Sequence, residues 1–419
     1  MNVATKIKFI LFVFFIAANI SVNAQWECRS KLGAHLKSFK KDFPLLWAIE
    51  QTSGVGCMTD RNIRNMMLFA GLDYSFKKHQ FYFEGGSKGW HNTLNDTDSY
   101  NNEHKRKIFQ QQRFGIREGF YRYNDKSTNL TIGFHSMTFG DYFLVNERGL
   151  GISYIQELKE IKIYLTGASI LKDFSRFGSF CSVHNEYNLL RDRSLAYIGE
   201  GVGETNFAGF VLKWIPSNKV DSSEFDEFSS SSGKKIFKEV GLIFYNEFGT
   251  GIDTIQTDYG LMSQWDLPGK LQLETELLHQ YRKNNQTLLY HLNLTKQISF
   301  GKKGQTFFSL AYYGKLDIDR NAMAYSSFSN LFIGEVMRMD IMDMPLYQFS
   351  MKYQIPKWKT QFKLQSTQQF TDQNISEYDI AVGKTFFNHA KLTLMFCRMD
   401  ADELEEVFYM LRTELRITF

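Results

Sequence analysis

A hydrolase acting on lipid needs a nucleophilic serine and a histidine side by side on one apolar face. His279 is the candidate base, because it follows Thr275 and Leu277 on the apolar parity of "KLQLETELLH". No serine stands on a neighbouring apolar face, and the loop end "QYRKNN" follows at once. An amphipathic ring at a boundary between water and an apolar phase accounts for His279 better than catalysis does. "GEGVGETNFAG" at 199–209 suggests a phosphate-cradling loop, but Asn206 stands where the last glycine belongs and no helical pattern follows. No Cys/His spacing matches a zinc site. The sequence therefore points to no enzyme and no cofactor.

Four cysteines remain: Cys28, Cys57, Cys181 and Cys397. Cys28 and Cys57 are the closest two in sequence and form the candidate disulfide, although four cysteines allow three pairings. The residues left for function are charged ones at alternate positions. Lys162, Lys359, Lys363, Arg412 and Arg416 are basic, Glu274, Glu276 and Glu414 acidic, and His135 and His291 share the same polar parity.

That parity is the property of strands, whose side chains alternate between faces. In "EIKIYLT" Ile161, Ile163 and Leu165 oppose Lys162, Tyr164 and Thr166. "TLLYHLNLT" sets Leu288, Tyr290, Leu292 and Leu294 against Leu289, His291, Asn293 and Thr295. The final "EVFYMLRTELRITF" puts Tyr409, Leu411, Leu415, Ile417 and Phe419 on one face and Arg412, Glu414 and Arg416 on the other. Eighteen such segments run from 45–56 and 64–76 to 358–371, 374–386, 390–400 and 405–419. Many exceed the five or six residues usual in soluble sheets, and only a closed barrel seats strands in lipid with every backbone group paired. The expected fold is all-β: a transmembrane antiparallel barrel of about 18 strands, within 16–18, spanning 45–419.

An even count brings both ends to one side, where short links such as 77–78, 124–128, 267–270, 301–304, 355–357 and 388–389 also fall. The long connections 92–106, 171–204 and 317–343 then lie on the other side, with 171–204 and 317–343 the expected constrictions. The Ser-rich "PSNKVDSSEFDEFSSSSGKK" at 216–235 breaks this asymmetry: either a strand is hidden in 171–204 or this is a real excursion at the short-link side.

Residues 1–24 have the plan of a secretory signal peptide, with Lys6 and Lys8 before an apolar run and Val22-Asn23-Ala24 at the cut. Its removal lowers the formal charge from +4 to +2 by loss of two lysines, which is no balance for binding nucleic acid. Residues 25–44 form an N-terminal periplasmic segment or plug before the barrel, and 32–56 is the least strand-like stretch. Leu36, Phe39 and Phe43 recur at helical spacing before Pro44, so a short periplasmic helix or plug competes with an irregular entry segment.

The last strand, ending on Phe419, resembles the C-terminal signal of Gram-negative outer-membrane barrels, which the barrel insertion machinery reads. "FGDYFLVNERGLGISY" at 139–154 resembles a passage of porin-like barrels from Bacteroidetes, and "DTI" at 253–255 resembles an O-glycosylation site of their envelope proteins. The resemblance implies a cell outer-membrane location, lipid around the wall, small solutes in the lumen and a homotrimer as candidate assembly. Two functions stay open: passive diffusion through a porin-like channel, or a plugged barrel serving surface-polysaccharide assembly, secretion or adhesion through partner proteins.

Overall fold

The computed structural model describes residues 37–38, 45–58, 61–94, 111–140, 144–170, 205–216, 237–249, 256–282, 285–301, 304–317, 345–370, 374–387, 389–402 and 407–418. Among the described residues, alternation along the chain becomes nineteen strands. β1 is only Lys37–Ser38, paired with Leu46 and Trp47. The wall follows as β2 (Leu45–Met58), β3 (Arg61–Phe76), β4 (His79–Leu94), β5 (Gln111–Asn124), β6 (Thr128–Phe139), β7 (Val145–Leu158), β8 (Ile161–Ile170), β9 (Thr205–Trp214) and β10 (Phe237–Gly249). It continues as β11 (Gln256–Leu267), β12 (Leu271–Arg282), β13 (Asn285–Ser299), β14 (Gln305–Asp317), β15 (Leu346–Ile355), β16 (Thr360–Gln369), β17 (Ile375–Phe386), β18 (Ala390–Ala401) and β19 (Phe408–Thr418).

Each wall strand pairs antiparallel with the next, and β19 pairs back onto β2 from Met410↔Met58 to Thr418↔Glu50. Closure makes an 18-stranded antiparallel barrel with no free edge. β8 pairs directly with β9 and β9 with β10. No strand therefore stands between β8 and β9 in the wall, and β9 ends at the short-turn end. The signal segment 1–24, Cys28, Phe419, most of 25–44 and the expected constrictions lie outside the described residues. Lys37–Ser38 is extended and not helical.

The links β3–β4, β5–β6, β7–β8, β11–β12, β13–β14, β15–β16 and β17–β18 all lie at one end and are short. There the described non-glycine residues with positive φ gather: Lys77, Lys159, Lys270, Lys359 and Phe387. Tight hairpins demand such backbones because their twist matches that of the strands. At this end Lys78 Nζ donates to Asp125 Oδ2 at 2.6 Å. That bond holds the Lys78 ammonium above its ordinary range and the Asp125 carboxyl below its own.

The outward face of β10–β19 is apolar. Leu242, Leu261, Leu277, Leu292, Leu310, Phe349, Leu364, Ile380, Leu394 and Leu411 are all exposed. A water-soluble protein does not leave so continuous a surface open. Aromatic rows bound it at both ends. Toward the short turns lie Tyr74–Phe81–Tyr121, Trp214–Phe237–Trp265 and Phe300–Tyr353–Phe362, with successive ring centroids 4.9–6.5 Å apart. Toward the other end Tyr290, Tyr312, Tyr347 and Phe370 follow one another at 5.7, 4.8 and 5.5 Å. His279 stands in this row, 4.9 Å from Tyr259 and with Nε2 3.2 Å from Gln286 Oε1. An apolar belt between two aromatic girdles is the outer surface of a barrel that crosses a membrane.

Candidate functional site

The inner face carries the chemistry, since it collects the polar parity of every strand. Glu274 accepts hydrogen bonds from Gln264 at 2.8 Å, Gln272 at 2.9 Å and Asn293 at 3.1 Å. Glu276 faces His291 across β12 and β13, and the His291 ring stacks on Tyr313 with centroids 4.7 Å apart. Arg412, Glu414 and Arg416 alternate inward along β19 and are all buried. Arg416 Nε lies 3.7 Å from Glu50 Oε2 on β2. Lys363 shares the inward parity of β16, beside the exposed and outward Phe362 and Leu364.

Lys162 lies at the short-turn rim, where Nζ meets Glu157 Oε1 at 2.6 Å directly across the hairpin. Lys213 stands beside it and pairs with Glu239 at 2.7 Å. The two ammonium groups flank the Tyr164 ring at 5.2 and 5.8 Å. Lys359 requires a correction. It is not on the inner wall: Pro356–Trp358 form a 3-10 turn and Lys359 ends it with φ of 48°. Proline lacks the N–H a ladder needs, so β16 begins only at Thr360. Cys57 lies opposite Leu411 on the exposed outward face of β2, and Cys28 lies outside the described residues.

Sequence reasoning missed what crosses the lumen. After β6 the chain turns inward at Gly140, whose φ is +61°. The Phe139 ring reaches Tyr245 of β10, with centroids 6.0 Å apart, although three strands lie between β6 and β10. A Cβ at Gly209 of β9 would fall 2.8 Å from the Phe139 ring, and one at Gly140 would fall 3.2 Å from Glu276 Oε1. Leu144 and Val145 are fully buried where the chain rejoins the wall. Only the sharp "FGD" turn signals this in the sequence, because the contacts are between distant strands. The arrangement makes Gly209 a slot for Phe139. Gly209→Leu should expel that ring and raise single-channel conductance measurably over wild type, while the outward change Leu212→Ala on the same strand should leave it unaltered.

A barrel of 16 to 18 strands has room for an aqueous bore. Here, however, Glu84, Glu118, Glu276, Glu377, Asp379 and Arg412 are each at most 8% exposed. The inner wall is packed against other groups at their level. Charges facing one another across such a constriction set a field that discriminates between solutes.

No family model matches the sequence, and no curated protein matches it. Solved structures do. The chain is similar to OpdK of Pseudomonas aeruginosa, crystallised with vanillate: 11% identity and a TM-score of 0.53, covering 91% of this chain and 100% of that one. It is similar to OccK9 (OpdG) of the same organism at 10% identity and TM-score 0.53, covering 91% and 100%. For OccD3 (OpdP) the figures are 8% and 0.50, covering 90% and 91%. At these identities the likeness concerns the fold, and it extends over nearly the whole of each chain.

Proposed function

We propose that this chain is a porin-like channel for the passive diffusion of small solutes or ions, seated in the outer membrane of a Gram-negative bacterium of Bacteroidetes type. The observation that carries the reading is the closed 18-stranded wall with an apolar outward belt and a charged inner face, narrowed by the segment around Phe139. It performs no catalysis and uses no cofactor. Residues 1–24 export the chain, Phe419 is read by the insertion machinery, and the barrel packs in lipid, with a homotrimer as its assembly.

The first test is single-channel conductance of the refolded chain lacking residues 1–24 in a planar bilayer. Discrete, long-lived ohmic steps are expected; silence from a barrel whose heat-modifiable gel shift proves it folded would reject the channel. Replacing Arg412 and Arg416 together by Glu exchanges two positive charges for two negative ones inside the lumen. The reversal potential in a salt gradient should then move toward cation preference. Unchanged selectivity in a conducting barrel would take both residues out of the pore. Vanillate, present with OpdK, serves as one probe solute in liposome swelling.

The burial of inward charges also supports a second reading, a plugged barrel that works through partner proteins. Deleting 26–44 separates the two. It opens a plugged barrel from silence to conductance and leaves a porin's conductance where it was.

A further inference from the structure

We propose that the lumen holds the phosphate group of a small solute in a basic recess on the inner wall of β15–β18, between Lys352, Lys363 and Lys391. Phe349, Phe362 and Leu394 are exposed and outward, so the three lysines fall on the inward parity of β15, β16 and β18. Lys352 stands directly opposite Lys363. Two strands on, Lys391 stands directly opposite Arg416 of β19. Side chains so paired start only about 5 Å apart, and like charges in that relation repel. A wall with two such pairs gathers positive charge that an anion offsets.

The charges of this face point the same way, whichever side chains pair. Register sets Lys352, Lys363, Ala381, Met395 and Arg412 in one row across β15–β19. Between that row and the short turns, the described inward side chains of β15–β19 and β2 add Lys391 and Arg416, against the carboxylates of Glu414 and Glu50. Asp379 and Glu377, farther along β17 from the short turns, still leave the cations in the majority. Arg412 is 2% exposed, and its Nε and Nη2 have no hydrogen-bond partner among the described residues. Its Nη1 meets the Met410 sulfur at 3.9 Å. A positive charge in so dry a wall is weakly screened.

The recess is one strand wide. Between Lys363 and Lys391 the inner face of β17 carries only Ala381, Gly383 and Thr385. A Cβ at Gly383 would have Lys391 Cε at 3.5 Å and Thr393 Oγ1 at 3.7 Å, both ordinary contacts, and no closer side chain. The Lys391 stem thus leans over β17, toward Lys363. Lys352, Lys363, Gly383 and Lys391 are half-buried and not sealed, so the recess opens on the bore. The cations that reach it decide the class. Arg412 and Arg416, whose planar forks would suit a carboxylate, are buried. What faces the bore is lysine, a compact point charge on a flexible stem, and several ammonium groups suit one multiply charged tetrahedral oxyanion. The inference rests on the channel reading for the solute's passage and not for its binding.

The test is equilibrium dialysis of radioactive inorganic phosphate with the refolded chain lacking residues 1–24. Saturable uptake is expected, and Lys363→Gln and Lys391→Gln should each weaken it about tenfold, the effect of losing one hydrogen bond to a charged group. Lys384→Gln should bind as wild type, since Lys384 is outward on β17 with Nζ 5.6 Å from the Phe386 ring centroid. Acetate at the same concentration should displace little of the phosphate. In planar bilayers phosphate should reduce the chloride current of wild type, and reduce it less in the two recess variants. Saturable binding by a silent barrel would reject the channel and support the site. Folded wild type without saturable uptake would overturn the site whether or not it conducts. Uptake equal in wild type and both recess variants, each with its heat-modifiable shift, or acetate competing as well as phosphate, would overturn it equally. Lys352→Gln decides the matter if neither of the other two folds.

Discussion

Replacing Arg416 by Met is expected to destabilise the folded barrel by about 3–5 kcal/mol, the range for breaking a buried ion pair from one side. Arg416 lies on the seam where the last strand meets the first, with Thr52 of β2 opposite it. Its Nε is 3.7 Å from Glu50 Oε2, and the two side chains are 9% and 3% exposed. That distance is too long for a hydrogen bond, so the attraction is Coulombic and takes its strength from the dry surroundings. Methionine fills a similar volume and removes the charge, so the buried carboxylate of Glu50 loses this cation. Glu50→Gln alone should cost a comparable amount by taking this carboxylate from the buried guanidinium. The double variant Arg416→Met/Glu50→Gln should recover most of the loss, because a buried pair replaced as a whole is often close to neutral. Urea titrations in lipid vesicles, followed by tryptophan fluorescence, give all four corners of the cycle. Additive single losses would show that the two side chains are not coupled.

The wall was legible because alternation is local. All eighteen wall strands lie within about four residues of the segments that parity marks, and inward Arg412, Glu414 and Arg416 follow from outward Tyr409 and Leu411 by counting alone. Lys359 shows where counting fails. It continues the parity of "KWKTQFKLQ", yet Pro356 delays the strand and leaves it in a turn. What counting never reaches is which inward residues meet. Asp258 and Gln280 come together through the register of one hairpin, but Phe139 meets Tyr245 and Gly209 across strands that are not neighbours. Nothing within a few residues of Phe139 encodes that contact. Cys57, by contrast, is reached by counting, since strand parity alone turns its thiol to the outward face beside Leu411.

Parity also makes a demand that only a membrane can impose. Leu310→Arg is expected to cost about 2–4 kcal/mol and Leu316→Arg about 0–1, the depth dependence of cationic residues on a lipid-facing wall. Both leucines are on β14, both are outward, and both are more than half exposed. In water the two changes would be equally harmless, since an exposed leucine on a soluble sheet gives up little to an arginine. Leu310 sits near the middle of its strand, between Leu294 and Phe349 on the neighbouring strands. Leu316 lies close to the strand end, beyond the row of Tyr290, Tyr312 and Tyr347, where a long cationic side chain can reach its head to the interface. The measurement is reversible folding into phospholipid vesicles, with the urea midpoint and slope read for wild type and both variants. A large loss at Leu310 with almost none at Leu316 places the hydrocarbon at the height of the leucine belt. Equal small losses would remove the membrane from around this wall, and equal large ones would mean that the aromatic row does not mark the boundary.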